Sequence, residues 1–236
     1  MMWLLAVLLG LSGGAGLRRA PAAPAAVAQA RGGRVVDAVR ASVNRQAILD
    51  SDVRRAAWYS RLVAALHRPG GPAAAPRPLT AAQRRQALEH LITEALLAQA
   101  RRRAGVTVGA PPAAVAGQMR RLRALAGGGR NWPRVARRYH LDPAAVRAIL
   151  ARQMRLLLFA DAHCRPRAKV TAAEVAAYYR RTYLPMARGR HLQPAPLARV
   201  SGRIRAILVQ QKLMRIELQW LHGLRTRARI QIIPRR

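Results

Sequence analysis

Residues 35–53 read VVDAVRASVNRQAILDSDV and contain two short apolar runs separated by a polar turn. One face of the extended chain carries four apolar residues, Val35, Val39, Ala41 and Val43. Because side chains alternate between the two faces of a strand, this spacing predicts a strand with one apolar face. Asn44 then interrupts the pattern, and asparagine tolerates the backbone conformation that a tight turn needs. We therefore expect a β-hairpin at this point.

Helical segments follow the hairpin. Asp50 or Ser51 is the predicted cap of a helix through Leu66, because such side chains accept hydrogen bonds from the amides of a first turn. Thr80 with Gln83 forms a capping box for a second helix that reaches residue 104. Apolar periodicity, the predicted caps Asn131 and Asp142, and a second capping box of Thr171 with Glu174 predict further helices at residues 113–125, 132–140, 143–162, 171–183 and 197–225.

A last strand ends the pattern. Ala228, Ile230 and Ile232 alternate with Arg229 and Gln231, which is typical of a strand. This strand needs a partner, and the other predicted strands lie at the opposite end of the chain. We therefore expect a mainly α fold, a multi-helix body with a small β-sheet formed by the N-terminal hairpin and the C-terminal strand.

The charge balance is strongly basic. Lysine and arginine total 43 against 9 acidic residues, for a formal charge of +34, and only Lys169 and Lys212 are lysines. Such a balance predicts attraction to polyanions, among them nucleic acid, anionic lipid and acidic unfolded chains. The arginines are spread along the whole chain, and a genome-wide preference for arginine codons is the alternative explanation. The charge therefore leaves the partner open.

The first residues have the features of a secretory signal peptide. A short apolar run covers residues 1–11, and Ala28, Gln29 and Ala30 form an A-x-A cleavage pattern before Arg31. The run is too short for a bilayer core of about 30 Å, which needs about 20 apolar residues in a helix. We therefore expect a cleavable leader at residues 1–30 and a periplasmic or otherwise extracytoplasmic protein.

Residues with catalytic chemistry are few and scattered. The six histidines lack the i, i+4 pairing and the cysteine spacing of a metal site. Cys164 is the only cysteine, so an internal disulfide cannot form. His163 precedes it, but neighbours on a helix point about 100° apart, so adjacency alone does not bring them together. We expect no catalytic site, no metal and no cofactor.

Several segments resemble one family of periplasmic chaperones. Residues 35–53 look like the opening of the SurA N-terminal domain, which typically begins with Val-Val-Asp, a Val-Asn turn and an acidic-Ser-Asp helix start. The segments LITEALL at 91–97 and AGVTV at 104–108 are similar to the family's next helix and its Gly-Val turn, and VTAAEV at 170–175 resembles the end of that domain. Residues 207–230 resemble the SurA carboxyl end, which packs back onto the N-terminal domain.

The resemblance implies a domain organisation and a function. Residues 31–183 correspond to the N-terminal helical domain, residues 184–196 form a linker in place of the parvulin-type isomerase domains, and residues 197–236 supply the C-terminal helix and strand. An isomerase domain needs far more residues than this linker has. The implied activity is that of an ATP-independent holdase for unfolded envelope or outer-membrane proteins, without prolyl isomerase activity.

A holding chaperone must leave apolar surface uncovered, because burial of client side chains contributes about 25 cal/mol per Å². Aromatic and methionine side chains adapt to varied client sequences. The candidate client-binding residues are Trp58, Tyr59, Leu62, Trp132, Tyr139, Met154, Phe159, Tyr178 and Tyr179. For each of them a place in the core is the competing interpretation. Trp220 is predicted at the interface between the final helix and the body.

Other function classes stay open. Nucleic-acid binding fits the charge, but the basic residues do not form one stripe with interleaved aromatics, and export would carry the protein away from nucleic acid. A structural role in envelope assembly fits the same fold. The expected partners are unfolded client polypeptides, with an anionic membrane surface as a second attraction for the arginines.

Overall fold

The computed structural model describes residues 37–72, 76–107, 109–191 and 193–234. The predicted signal peptide, residues 1–30, lies outside these ranges, as do Val35 and Val36 of the predicted first strand. Within them the chain is mainly α-helical with one small antiparallel sheet, which confirms the predicted fold class.

The sheet joins the two ends of the described chain. Strand β1 (Val39–Val43) pairs with β2 (Gln46–Leu49) on one side and with β3 (Ile230–Ile232) on the other, both antiparallel. The strand order is therefore β2-β1-β3. Ser42 lies opposite Gln231 in the second pairing. The predicted meeting of the hairpin with the last strand is confirmed.

Asn44 holds the hairpin turn and binds the C-terminal end of the chain. Its φ of 57° lies in the left-handed region that asparagine tolerates, as predicted. The Asn44 N–H donates to the Arg229 carbonyl at 2.7 Å, and the Asn44 side-chain oxygen accepts from the Arg229 N–H at 3.0 Å. The Asn44 amide also donates to Gln99 Oε1 at 2.5 Å. One turn residue thus ties the hairpin to two distant segments.

Helices make up most of the remaining described chain. Their bounds are α1 (Asp50–Leu66), α2 (Ala81–Arg103), α3 (Pro112–Leu125), α4 (Trp132–Arg138), α5 (Pro143–Cys164), α6 (Ala172–Tyr178), α7 (Leu184–Gly189) and α8 (Leu197–Thr226). Every one except α7 was predicted, with bounds that differ by a few residues. Among the helices of the described ranges, none combines the length and apolar content that crossing a bilayer requires.

Both predicted capping boxes are present. The Thr80 hydroxyl accepts from the Gln83 N–H at 3.2 Å, and the Gln83 side chain accepts from the Thr80 N–H at 3.0 Å. Thr171 and Glu174 repeat the arrangement at 3.3 and 2.8 Å. Each box satisfies amides that the first turn of a helix leaves without an intrahelical partner.

The predicted cap of α1 is wrong. The helix begins at Asp50 itself, and the carboxylate of Asp37 accepts from the Ser51 N–H at 3.1 Å in place of a local cap. Asp50 instead forms ion pairs with Arg40 at 2.8 Å and Arg54 at 2.7 Å. An amide of the first turn of α1 is thus capped by a residue that precedes β1.

The predicted side-chain caps of α4 and α5 are also wrong. Neither Asn131 nor Asp142 accepts a capping hydrogen bond through its side chain. The Asn131 amide donates to the Ala126 carbonyl at 2.6 Å and so closes the turn before α4. Asn131 thus satisfies a carbonyl at the end of the preceding helix instead of capping the next one. Its position in the sequence fits both roles equally well.

The predicted linker, residues 184–196, is partly helical. α6 continues through a π-helical turn (Tyr179–Tyr183) into α7, so the helix ends at Gly189 rather than near Tyr183. Pro185 cannot donate the backbone hydrogen bond of a regular helix, and a widened turn before it accommodates that loss.

The core has two main apolar clusters. One lies between α1, α3, α4 and α5, and the other between the sheet, α1 and α2. Trp58 packs against both. Smaller groups around Ala160 and around Cys164 and Leu213 join α8 to the end of α5. Most of the buried apolar residues therefore lie between α1 and the elements that pack against it, and α8 packs on the end of α5.

Candidate functional site

The nine predicted client-binding residues lie in three places. Six belong to, or pack against, the cluster between α1, α3, α4 and α5, namely Trp58, Tyr59, Leu62, Trp132, Tyr139 and Met154. Phe159 lies on α5 beside Trp220 of α8. Tyr178 ends α6, and Tyr179 begins the π-helical turn.

Five of the nine are core residues. Tyr59, Leu62, Trp132, Tyr139 and Phe159 are each at most 7% exposed. Burial of large apolar side chains stabilises the folded chain by about 1.5–3 kcal/mol for each. In this conformation these five side chains have almost no exposed apolar surface, and the competing interpretation of a core role describes them.

Trp58 is half-buried, and its ring is covered by neighbours. It meets the Tyr139 ring edge-on at 6.3 Å between centroids, and the His140 ring lies 4.7 Å away. The Arg61 guanidinium lies 5.3 Å from the centre of the Trp58 ring, within cation–π range. Trp58 and the half-buried Met154 thus belong to the packing around α1.

The tyrosines of the π-helical turn hold the segment that was predicted as a linker. The rings of Tyr179 and Tyr183 stack at 5.3 Å between centroids. The Tyr179 hydroxyl donates to the Ala195 carbonyl at 2.9 Å, and the Tyr183 hydroxyl accepts from the Ala195 N–H at 3.2 Å. Tyr178 is half-buried beside them. These contacts fix the start of α8 against α6.

Trp220 lies at the interface between α8 and the body, as predicted. Its ring stacks on His163 at 4.3 Å and meets Phe159 edge-on at 5.7 Å. Leu213, one of the most buried residues of α8, packs beside Cys164. Aromatic and apolar contacts therefore dock the C-terminal half of α8 on α5.

His163 and Cys164 are not arranged as a nucleophile and its base. Cys164 is fully buried, and burial together with the Glu217 carboxylate raises the pKa of its thiol to about 11. The His163 ring is stacked on Trp220. Because the thiolate is the reactive form of cysteine, a raised pKa leaves Cys164 unreactive at neutral pH.

Three exposed large apolar residues lie together on α8. Ile207, Met214 and Leu218, together called the α8 stripe, are 37–43% exposed and, at spacings of seven and four, lie along one side of the helix. Leu213 and Glu217 are buried on a different side. Apolar periodicity predicted this helix, but the apolar residues of the pattern lie on two faces, and packing decides which face is covered.

Positive charge surrounds the α8 stripe. Arg203 and Arg215 are exposed on α8 itself. Lys212 pairs with Glu174 at 2.6 Å, and Arg225 pairs with Glu89 at 2.8 Å. Since the whole chain has 43 basic and 9 acidic residues, most arginines have no carboxylate to neutralise them.

A cleft of about 310 Å³ opens between α1, α2 and α5. Arginines from two helices line it, Arg55 on α1 and Arg152 and Arg155 on α5. Asp52, Tyr59, His90 and Gln153 contribute the other polar groups, and the rest of the lining is alanine, leucine and isoleucine. The cleft thus combines cationic groups with small apolar walls.

A buried ion pair lies behind this cleft. Glu94 of α2 is 4% exposed, and its two oxygens lie 3.0 Å from His90 Nε2 and 2.9 Å from Arg152 Nε. Burial by itself raises the pKa of a carboxyl. Here the hydrogen bond and charge of His90 and the charge of Arg152 outweigh burial and hold the pKa of Glu94 below its ordinary value. Glu94 is therefore an anion that neutralises Arg152.

Metal binding finds no geometric support in the described ranges. No group of three or more histidine, cysteine, aspartate or glutamate side chains there could hold a metal ion. His90 faces Glu94, and His163 faces Trp220. Each of these rings thus has a packing or ion-pair role.

Comparisons with known proteins do not place the chain in a family. The resemblance of residues 35–53 and 207–230 to SurA stays a prediction for that reason. No protein-family model matches this sequence, and no curated protein matches it at a significant level.

Proposed function

We propose that this protein is an extracytoplasmic, ATP-independent holdase that binds unfolded envelope or outer-membrane proteins and has no prolyl isomerase activity. The α8 stripe is the observation that supports this most directly, since it exposes three large apolar side chains in a row on a well-anchored helix. The resemblance to SurA supplies the class of client and the location.

The exposed area of the stripe suits reversible capture. Full burial of one isoleucine, leucine or methionine side chain contributes about 1.5–3 kcal/mol. The three stripe residues are already more than half buried in the folded chain. A client that contacts all of them therefore gains about 2–4 kcal/mol of binding free energy. Such a contact competes with aggregation and still allows release.

The arginines add attraction at longer range. Exposed cations act over a Debye length of about 8 Å at physiological salt. Arg203 and Arg215 flank the stripe on α8, so acidic segments of a client are drawn toward the apolar contact. This electrostatic term raises the rate of capture more than the strength of retention.

An aggregation assay tests the proposal. The purified chain is mixed with an unfolded outer-membrane protein, and light scattering is followed beside a prolyl isomerisation assay. We expect suppressed scattering without isomerisation. Replacing Met214 and Leu218 by serine is expected to weaken suppression several-fold with unchanged far-UV circular dichroism, because both side chains are exposed.

Gln219→Ser is the matched control, since Gln219 is exposed on the same helix and lies outside the stripe. If the wild-type chain leaves the light scattering of the unfolded client unchanged, the holdase proposal is wrong. If it isomerises prolyl bonds rapidly, the proposed lack of isomerase activity is wrong. Equal loss of suppression in the control and in the stripe variant would contradict the role of the stripe.

An arginine patch favours nucleic-acid binding as the second candidate function. Arg45, Arg102 and Arg103 line a shallow depression together with Asn44 and Gln99. Binding of a fluorescent oligonucleotide at physiological salt, more tightly than the unfolded client, would favour this candidate. Retention in a stable envelope complex without any client would favour a structural role in assembly.

A further inference from the structure

The cleft between α1, α2 and α5 has an excess of hydrogen-bond donors and of positive charge. Arg55 pairs with Asp52 at 3.4 Å, and Arg152 pairs with Glu94 at 2.9 Å. Arg155 also lines the cleft and has no ion pair within the described part of the chain. Among the arginines and carboxylates at the cleft, about one positive charge is therefore left without a carboxylate.

Tyr59 provides an independent observation at the same place. Its side chain is 2% exposed and lines the cleft, yet its hydroxyl has no hydrogen-bond partner among the described residues. Burial and the Glu94 charge raise the pKa of Tyr59 well above its ordinary value, so the hydroxyl keeps its proton and can donate. A buried hydroxyl without a partner is unfavourable, and a bound acceptor removes that cost.

We infer that this cleft binds a carboxylate on a short aliphatic stem, as an aspartate or glutamate side chain of an unfolded client carries it. Arg155 would pair with the carboxylate and the Tyr59 hydroxyl would donate to it, while Leu91 and Ile149 would contact the stem. The inference rests on the proposed function for the identity of the ligand's carrier.

Size and charge favour this ligand. A volume of about 310 Å³ equals the share of about ten water molecules in the liquid, enough for a side chain and part of its backbone. A carboxylate carries one negative charge and matches the single excess cation. A phosphate monoester carries about −1.5 to −2 at neutral pH and leaves excess negative charge beside Glu94 and Asp52.

Fluorescence anisotropy with a matched peptide pair tests the inference. The probe is a labelled ten-residue peptide with blocked ends and one glutamate between leucines, and its partner carries glutamine at the same position. We expect the glutamate peptide to bind the wild-type chain about tenfold more tightly, as expected for one charge-assisted hydrogen bond. Arg155→Gln is expected to abolish this preference, and Tyr59→Phe to reduce it about threefold.

Arg147→Gln is the control, because Arg147 is exposed on the same helix outside the cleft. It removes the same charge and is expected to keep the preference. Ala148→Leu is a second test that leaves every charge in place, because Ala148 is an exposed residue of the cleft lining and a larger side chain there would narrow the cleft. Equal losses in Arg155→Gln and Arg147→Gln would overturn the inference, as would stronger displacement of the peptide by inorganic phosphate than by acetate.

The two proposals fail in different ways. If the wild-type chain suppresses aggregation but binds both peptides equally, the cleft inference is wrong and the holdase proposal stands. If it prefers the glutamate peptide but does not suppress aggregation, the holdase proposal is wrong, and the cleft binds carboxylates in a protein with another function.

Discussion

Glu94 is the residue whose charge contributes most clearly to the packing of α2 against α5. Its carboxylate is buried between His90 and Arg152, and an uncompensated charge at such a depth would be costly. Its pKa is held below the ordinary value of 4.5. A carboxyl with a depressed folded-state pKa stabilises the protein above its unfolded pKa, and that stability is lost as the pH falls through the folded-state pKa.

Glu94→Gln is therefore expected to lower the free energy of unfolding by about 2 kcal/mol at pH 7, since His90 and Arg152 lose their charged partner. The difference from the wild type should shrink as the pH falls below 4.5, where protonation removes the same charge. Urea denaturation across this pH range measures it. Glu89→Gln is the control, because Glu89 is 41% exposed in its pair with Arg225 and exposed pairs contribute about 0–1 kcal/mol. A constant difference at all pH values would contradict the role of the charge.

The sequence predicts the structural role of a residue when that role depends on its immediate neighbours along the chain. Asn44 was predicted in the turn because asparagine tolerates a positive φ, and Thr80 with Gln83 because a capping box spans only four positions. The contact of Asn44 with Gln99 spans 55 residues, and no local rule contains it. The burial of Tyr59 is likewise not predicted locally, because the cleft that it lines is formed by residues of α1, α2 and α5.

At the scale of the element, α8 shows what periodicity can and cannot provide. Its apolar spacing predicted a helix and nearly its bounds, Leu197–Thr226. The same spacing fits two faces, and the structure covers Leu213 while it exposes Met214 and Leu218. Aromatic side chains were predicted as client contacts from their chemistry. Most of them lie in the core, because burial of a large ring stabilises the folded chain.

Trp220→Ala tests how α8 is held. The substitution removes the stacking on His163 and the edge contact with Phe159, and large-to-small changes at packed tryptophans cost about 3–5 kcal/mol when fully buried. Because Trp220 is half-buried, we expect a loss of about 2–3 kcal/mol in the free energy of unfolding. Hydrogen exchange should accelerate along the C-terminal half of α8 and the end of α5.

Leu218→Ala is the matched control on the same helix, because Leu218 is 43% exposed and loses little packing. We expect a change below about 0.5 kcal/mol for it, as for surface positions in general. If both variants lost the same stability, or if exchange in α8 stayed at the wild-type rate in Trp220→Ala, docking of α8 on α5 through this tryptophan would be contradicted.

At the scale of the whole molecule, the β1–β3 pairing turns a series of helices into a closed arrangement. α8 contacts α2, α5 and α6, and β3 returns the chain to the hairpin where the described part begins. This closure was predictable because a strand without a partner is unfavourable and the sequence offered one other place for strands. The order of packing between the helices was not predictable, since it depends on side-chain shape across residues far apart in the chain.

Removal of β3 should open this arrangement. A chain ending at Ala228 lacks the pairings of Ala41, Ser42 and Val43 with residues 230–232 and the Asn44 hydrogen bonds to Arg229. We expect a loss of about 3 kcal/mol in the free energy of unfolding, at about 1 kcal/mol for each of several hydrogen bonds, measured by urea denaturation. A chain ending at Ile233 keeps every strand pair and is the control, with an expected change below about 0.5 kcal/mol. Because β3 follows α8 directly, the shorter chain should also lose hydrogen-exchange protection in β1 and at the end of α8 together. Protection lost only in β1 would mean that packing on α5 alone holds α8, and the sheet would then have no part in presenting the α8 stripe.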